Sequence, residues 1–189
     1  MNKTKTAVFA FGRMNPPTIG HLKLINTIKQ IPGDHFLFLS HSQSPMKDPL
    51  DFKTKKIFAK LFFQNITIGH ENIKTPIEAM QYLQSLGYTD IVFVAGSDRV
   101  EEFTKLFNMY NKQPDKSGKI VFDFNTIKVI SAGERNDENL LNKISATQMR
   151  ESVKNNNFQE FVIGVPDRKY AKKLYESLEI AMTRKNETE

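Results

Sequence analysis

Short apolar runs alternate with amphipathic stretches along the chain, and this alternation predicts strands and helices in turn. Ala7-Val8-Phe9-Ala10-Phe11 is continuous and ends at Gly12, as is typical of a strand buried in a parallel sheet. Asp90-Ile91-Val92-Phe93-Val94-Ala95 has the same form and ends at Gly96. The predicted strands are residues 7–11, 35–39, 65–68, 90–95 and 126–130.

The stretches between the strands carry helical stripes. From Ile19, apolar side chains recur at Leu22, Ile25 and Ile28 until Pro32-Gly33 ends the pattern. Thr75-Pro76-Ile77-Glu78 predicts a helix start, with Thr75 as cap, proline in the first turn and glutamate three residues after the cap. Further helices are predicted from Thr75 to Gly87 and over residues 52–63, 100–107, 145–154 and 166–184.

Strands that alternate with helices at this spacing favour an α/β fold: a doubly wound, Rossmann-like parallel sheet flanked by helices, with a C-terminal helical extension. We expect one domain over residues 1–165, with a helix and a frayed tail over 166–189 packed on it. In such folds ligands bind beyond the carboxyl ends of the strands. The loops expected there are Gly12–Gly20, Ser40–Lys47, Gly96–Arg99 and Ser131–Thr147.

Composition narrows the class of protein. Hydrophobic residues make up 39% and charged residues 25%, as in a globular domain, and the net charge of +6 is compatible with a phosphate-bearing ligand. The absence of cysteine excludes disulfides, thiolate zinc sites and thiol catalysis. No apolar run is as long as a membrane span, and the N-terminus does not resemble a secretory signal. We therefore expect a cytoplasmic protein without membrane association.

The loop after the first strand collects groups suited to phosphate. Gly12 allows the backbone to approach a ligand closely, and Arg13 can grip a phosphate with its planar guanidinium. Thr18 can cap the following helix, whose first N–H groups and dipole then face an anion. His21 falls in the first turn of that helix. A lone histidine here would be interpreted as a surface residue. The convergence of Gly12, Arg13, Thr18 and His21 on one strand-to-helix connection indicates a binding site instead.

Two motifs carry a resemblance to a known superfamily. Thr18-Ile19-Gly20-His21 resembles the (H/T)xGH signature of nucleotidyltransferases, which are related to the HIGH-motif class I aminoacyl-tRNA synthetases. Ile144-Ser145-Ala146-Thr147-Gln148-Met149-Arg150 resembles the second signature, ISSTxxR, with Ala146 in place of a serine. The resemblance spans roughly Thr6 to Pro166 and makes residues 1–165 a nucleotidyltransferase domain.

Further segments are similar to archaeal-type nicotinamide-mononucleotide adenylyltransferases and to their relatives in tailed bacteriophages. The stretch from Gly12 to Leu22 resembles the opening GRFQPxHxGHL. Ser40-His41-Ser42 with Lys47-Asp48-Pro49-Leu50 resembles the segment SHT…NPF, and Gly96-Ser97-Asp98 resembles GxD. If the gene is of phage origin, the expected location is the host cytoplasm.

The resemblance implies roles for individual residues. The catalytic residues implied are His21, Thr18, Arg13 and Arg150. The nucleotide-binding residues implied are Gly12, Arg13, Met14, Gly20, His21, Gly96, Asp98, Ser145, Thr147 and Arg150. The acceptor-binding residues implied are Asn15, Ser40, Ser42 and Lys47. No protein metal ligand is implied, and Mg²⁺ is expected to bridge the substrate phosphates.

Some of these residues also have structural interpretations. Ser145 with Gln148 is a capping box, and Asp98 is an acid at a helix start, where the helix dipole favours it. Lys47, Lys53 and Lys55 could bind an acceptor phosphate, yet a lysine-rich helix face is usually solvated.

The implied reaction transfers a nucleoside monophosphate to a phosphate-bearing acceptor and releases pyrophosphate. ATP is favoured as donor because the RTEGISTT form typical of cytidylyltransferases is absent, and nicotinamide mononucleotide or a similar mononucleotide is the expected acceptor. One alternative is a cytidylyltransferase acting with CTP on a sugar or alcohol phosphate. Another is a non-catalytic nucleotide or RNA binder on the same fold, although no RNA-binding signature is present. Relatives are often homo-oligomers, and the sequence leaves the oligomeric state of this chain open.

Overall fold

The structure, a computed structural model, describes residues 4–133 and 144–183. Within these ranges the chain forms five strands and seven helices. In chain order they are β1 (Thr6–Gly12), α1 (Ile19–Gln30), β2 (Asp34–Leu39), α2 (Phe52–Phe62), β3 (Thr67–Ile68), α3 (Pro76–Ser85), β4 (Asp90–Ala95), α4 (Val100–Tyr110), β5 (Thr126–Ser131), α5 (Ala146–Lys154), α6 (Phe158–Ile163) and α7 (Ala171–Thr183). The predicted loop Ser131–Thr147 is described only at its two ends, and the predicted frayed tail lies outside the described residues.

The five strands form one parallel sheet in the order β3-β2-β1-β4-β5. Phe9 of β1 lies opposite Phe93 of β4, and Asp90 of β4 lies opposite Thr126 of β5. Strand β1 lies in the middle of the sheet, and β2 and β3 follow on one side of it. Strands β4 and β5 then lie on the other side of β1. This reversal is the doubly wound pattern, so the predicted α/β fold class is confirmed.

The described residues divide into two compact units, and the first comprises residues 4–11, 24–38 and 65–133. Phenylalanine rings dominate its core: Phe9 packs edge-on against Phe93 at 4.9 Å and against Phe38 at 5.6 Å between ring centroids. Burying each such ring stabilises the fold by roughly 1.5–3 kcal/mol. The capping box of Thr75 and Glu78 starts α3 at Pro76, as predicted.

The second unit comprises the described residues 12–23, 39–64 and 144–183 and holds most of the predicted site residues. Its C-terminal helices pack through aromatic side chains. The Tyr175 ring of α7 lies 5.1 Å from the Phe161 ring of α6, and its hydroxyl donates to the carbonyl of Val153 in α5. The predicted boundary at residue 165 differs from this interleaved division and stays a prediction.

Two elements differ from the sequence prediction. Helix α6 was not predicted; its cap is Asn157, whose side chain accepts from the N–H of Glu160. The last helix was predicted from Pro166, but α7 begins at Ala171, after a 3₁₀ turn over Arg168–Tyr170. In the part of the chain that the structure describes, no helix has the length and apolar character needed to cross a bilayer.

Candidate active site

The start of α1 is built around Thr18 and His21. The Thr18 hydroxyl oxygen lies 3.4 Å from the backbone N–H of His21 and caps the helix, as predicted. In return, the backbone N–H of Thr18 donates to Nδ1 of His21 at 3.0 Å. Because Nδ1 accepts this bond, a neutral imidazole carries its proton on Nε2. The backbone thereby selects the tautomer in which Nε2 is a donor.

The first N–H groups of α1 have different partners. The Ile19 N–H donates to the carbonyl of Gly164 at 3.0 Å. The Gly20 N–H has no hydrogen-bond partner among the residues that the structure describes, and Gly20 is exposed. A Cβ at Gly20 would lie 3.4 Å from the Thr18 hydroxyl oxygen, which is an ordinary van der Waals contact. An exposed N–H group at a helix start is a donor for an anion.

Asn15 fixes the loop before α1. Its side-chain amide donates to the carbonyl of Leu50 and accepts from the N–H of Leu50, both at 3.0 Å. Asn15 is only 2% exposed, and Met14 beside it is equally buried, with a positive φ of 49°. The structure therefore places both side chains inside the loop, and their predicted ligand contacts stay predictions.

Arg150 joins the two signature segments. Its Nη1 donates to the carbonyl of Asn15 at 2.6 Å, and its Nε donates to the carbonyl of Met46 at 3.0 Å. Its Nη2 donates to the Thr147 hydroxyl at 3.1 Å. Burial lowers the pKa of the Arg150 guanidinium, whereas the Asp48 carboxylate acts in the opposite direction. The late signature helix is thus tied to the loop that precedes Thr18 and His21.

The start of α5 agrees with the sequence prediction. Ser145 accepts from the N–H of Gln148, and the Gln148 side chain accepts from the N–H of Ser145, which completes the predicted capping box. Thr147 is exposed in the first turn. The Gly164 that holds Ile19 also lies against this region: a Cβ there would come within 2.6 Å of Ile144 and 2.8 Å of Met149.

Lys55 of α2 contacts the backbone of the segment after β2. The Lys55 ammonium donates to the carbonyl of Ser40 at 2.6 Å, and the carbonyl of Ser42 lies 3.5 Å away. The two serine hydroxyls pair at 2.8 Å, and the Ser40 N–H donates to the carbonyl of Gly12 at 2.9 Å. The sequence favoured a solvated face for Lys55, and this was wrong: the side chain is 0% exposed.

Asp48 provides negative charge among the cations of this unit. It is 7% exposed, and its carboxylate lies 4.0 Å from Nη1 of Arg13, whose side chain is 66% exposed. Burial lowers the pKa of Lys55, and the Asp48 carboxylate partly opposes that effect. Asp48 therefore interacts with Arg13, Lys55 and Arg150. Three cations thus surround one buried carboxylate. Lys47, next to Asp48, is exposed.

Gly96 and Asp98 belong to the first unit, where they follow the carboxyl end of β4. Asp98 is exposed, and a Cβ at Gly96 would lie 2.7 Å from Oδ1 of Asp98. The carboxylate therefore folds back towards the glycine, and a side chain at Gly96 would require the Asp98 side chain to move. The predicted ribose contact of Asp98 stays a prediction.

The structural roles of three residues of the site were not predicted from the sequence: Asp48, Lys55 and Gly164. One signal was available for Lys55, because it lies three and seven residues before the buried Phe58 and Phe62 and so falls on the apolar stripe of α2. Asp48 lies in the segment that resembles NPF, but nothing in that pattern indicates its burial, and no local pattern distinguishes Gly164 from an ordinary loop residue.

No protein-family model and no curated protein sequence matches the chain. Solved structures do match. A protein of Vibrio parahaemolyticus described as a nicotinate-nucleotide adenylyltransferase superposes with a TM-score of 0.59 and 16% identity, over 93% of this chain and 99% of that one. The nicotinic acid mononucleotide adenylyltransferase of Plasmodium falciparum, in complex with NaAD, superposes with a TM-score of 0.57 and 15% identity, over 91% and 98%.

A third match is the bifunctional NMN adenylyltransferase/ADP ribose pyrophosphatase of Francisella tularensis, with a TM-score of 0.56 and 14% identity. It covers 98% of this chain but 54% of the larger protein. At these identities the likeness is one of fold. The chain thus shares its α/β fold with these three proteins.

Proposed function

We propose that this protein is a nucleotidyltransferase that transfers AMP from ATP to the phosphate of a mononucleotide, with nicotinamide mononucleotide or nicotinic acid mononucleotide as acceptor. The observation that carries the proposal is the junction of the two signature segments, where Arg150 of the second donates to the carbonyl of Asn15 beside the first. The solved structures of the same fold add support, since all three are described as adenylyltransferases of nicotinate or nicotinamide nucleotides.

In the proposed reaction, an oxygen of the acceptor phosphate attacks the α-phosphorus of ATP. The bond from that phosphorus to the oxygen bridging to the β-phosphate breaks, and pyrophosphate leaves with the electron pair. No covalent intermediate with the protein is needed. Catalysis then depends on positioning the two substrates and on stabilising negative charge that builds up on the transferred phosphate.

His21 is the proposed donor to the α-phosphate. Its Nδ1 accepts from the backbone N–H of Thr18, so Nε2 holds a proton without the imidazole having to be charged. The Gly20 N–H is a second donor at the same helix start. Both donors are fixed before substrate binds, which is the condition under which such groups stabilise a transition state most.

Arg13 and the start of α5 are proposed to bind the β- and γ-phosphates. The Arg13 side chain is exposed, so it can turn from Asp48 towards a ligand. Ser145 and Thr147 supply donors at the α5 N-terminus. Arg150 already donates to two carbonyls and one hydroxyl, so it contributes by orienting the two segments as well as by its charge.

Mg²⁺ is proposed as a companion of the triphosphate. Among the described residues there is no group of three or more histidine, aspartate or glutamate side chains placed to hold a metal ion. In the proposal, phosphate oxygens and water would hold the ion. When bound, Mg²⁺ would neutralise phosphate charge.

Pyrophosphate release tests the proposal. The wild-type protein is incubated with Mg²⁺, with ATP or CTP, and with nicotinamide mononucleotide, nicotinic acid mononucleotide or a sugar phosphate. We expect release with ATP and a pyridine mononucleotide. Release only with CTP and a sugar phosphate would instead identify a cytidylyltransferase, and binding of nucleotides without any release would identify a non-catalytic binder.

Replacing His21 tests the assigned donor. The change His21→Ala should lower turnover by about 10²–10³-fold, the effect of removing one preorganised transition-state donor, while ATP affinity changes little. The exposed His70, in the first unit, provides the matched control His70→Ala, which should retain turnover. Unchanged turnover in His21→Ala would contradict the assignment.

A further inference from the structure

Lys55 is the only lysine among the fully buried large side chains of the described residues, and the proposed reaction as written above does not use it. A buried ammonium loses its hydration, so a protein keeps one only where it is paired and hydrogen-bonded. Here the partners are main-chain carbonyls, those of Ser40 and Ser42, rather than a carboxylate in direct contact. The side chain therefore acts on the backbone of the segment after β2.

The contacts of Lys55 restrict that backbone from one side. Two carbonyls that are two residues apart converge on one ammonium, while the two serine hydroxyls meet each other at 2.8 Å. The Ser40 N–H is bonded in turn to the carbonyl of Gly12, in the loop implied to bind the nucleotide. Ser40 is nearly buried and Ser42 is exposed, so the paired hydroxyls run from the interior to the surface.

The position of Lys55 on α2 is also fixed. Asp51 caps the helix by accepting from the N–H of Thr54 at 2.7 Å, and the preceding Leu50 is clamped by Asn15. Asp48 and Asp51 supply the negative charge that partly offsets burial of the ammonium. The lysine is therefore a rigid support that reaches from a capped helix to the Ser40–Ser42 backbone.

From this geometry we propose that Lys55 is a positioning residue for the acceptor substrate: by holding the carbonyls of Ser40 and Ser42 it sets the conformation in which these serines contact the phosphate-bearing acceptor. The inference rests on the proposed function, because it takes the acceptor to bind at Ser40 and Ser42. Lys55 itself does not touch the substrate, since its side chain is fully buried.

The test uses Lys55→Met, which keeps the length of the side chain and removes the charge and the donors. Lys55→Arg keeps both charge and donors. Lys60→Met is the matched control, since Lys60 lies exposed on the same helix. Hydrogen–deuterium exchange of the segment 40–46 is compared with exchange of α2, and KM is measured separately for the acceptor and for ATP.

In Lys55→Met we expect exchange of segment 40–46 to rise about tenfold or more while α2 stays protected, because a charge-assisted hydrogen bond is lost there. The KM for the acceptor should rise by a similar factor, with kcat and the KM for ATP nearly unchanged. Lys55→Arg should restore much of the acceptor KM, and Lys60→Met should match the wild type.

Several results would overturn the proposal. They are unchanged exchange in a folded Lys55→Met, an equal rise of both KM values, and no rescue by arginine. If Lys55→Met does not fold, Lys55→Gln takes its place, and failure of both neutral variants to fold would make Lys55 a stability residue only. Absence of turnover in the wild type would overturn the proposed function itself, whereas normal turnover with an unchanged acceptor KM in Lys55→Met would overturn this inference alone.

Discussion

The amide clamp of Asn15 allows a quantitative prediction about the loop before α1. The change Asn15→Ala removes two hydrogen bonds of 3.0 Å and leaves the N–H and carbonyl of Leu50, a residue that is 1% exposed, without their partner. A buried polar group that loses its partner costs about 1–3 kcal/mol. We therefore expect the free energy of unfolding to fall by about 2–4 kcal/mol, or roughly 5–15 °C in Tm for a chain of this length.

The chain contains a matched control for this experiment. Asn111 makes the same clamp in the first unit: its amide donates to the carbonyl of Phe124 at 3.2 Å and accepts from the N–H of Phe124 at 2.9 Å. Asn111 is only partly buried, so Asn111→Ala should cost less, about 1–2 kcal/mol. Both variants are unfolded in urea and followed by far-UV circular dichroism.

Activity separates the two clamps. Turnover per folded molecule should drop in Asn15→Ala, because this clamp holds the loop that carries Thr18 and His21, and should be retained in Asn111→Ala. A loss of less than about 0.5 kcal/mol in Asn15→Ala, the range of ordinary surface substitutions, would refute the reasoning. Equal loss of turnover in both variants would refute the assignment of the loop to the site.

Three further predictions concern neighbouring features. Gly164→Ala forces a Cβ to within 2.8 Å of Met149 and should cost about 1–3 kcal/mol of stability by overpacking, measured by urea unfolding. The pKa of Asp51 is held below its ordinary value by the N–H of Thr54, so its contribution to stability is full above the unfolded-state pKa of 3.8 and is lost as pH falls through the lower folded value. The free energy of unfolding of Asp51→Asn should therefore fall less than that of the wild type between neutral pH and pH 3. An identical dependence on pH in the two proteins would contradict this. Chelation of Mg²⁺ by EDTA should abolish pyrophosphate release, and re-addition of Mg²⁺ should restore it. Release that persists in EDTA would contradict the proposed role of the ion.

The central strands β1, β2 and β4 could be predicted from the sequence because burial on both faces of a parallel sheet requires continuous apolar runs. The helix starts at Pro76 and Ala146 were also predictable, since a capping box is a local pattern. Helix α6 was missed because it is only six residues long and carries no full amphipathic repeat; the Asn157 cap with Glu160 three residues later was its one local signal. The start of α7 was misplaced because the Asp167 cap opens a 3₁₀ turn first.

The site was predictable only in part. Short signatures reveal Thr18, His21 and Arg150 because those residues sit in recognisable local patterns. The contacts that hold these segments in place are made to main-chain carbonyls, those of Asn15 and Met46 for Arg150 and that of Gly164 for Ile19, and any residue type supplies a carbonyl. Such contacts leave no trace in the sequence. The burial of Lys55 was not predicted for the same reason, because the groups that its ammonium contacts are backbone carbonyls.

The bond from the Ile19 N–H to the Gly164 carbonyl has a consequence for biosynthesis. The turn that contains Thr18 and Gly20 is made first, and the residue that accepts from its Ile19 N–H is translated 145 positions later. A nascent chain on the ribosome can assemble the strands of the sheet while this turn still lacks its last main-chain tether.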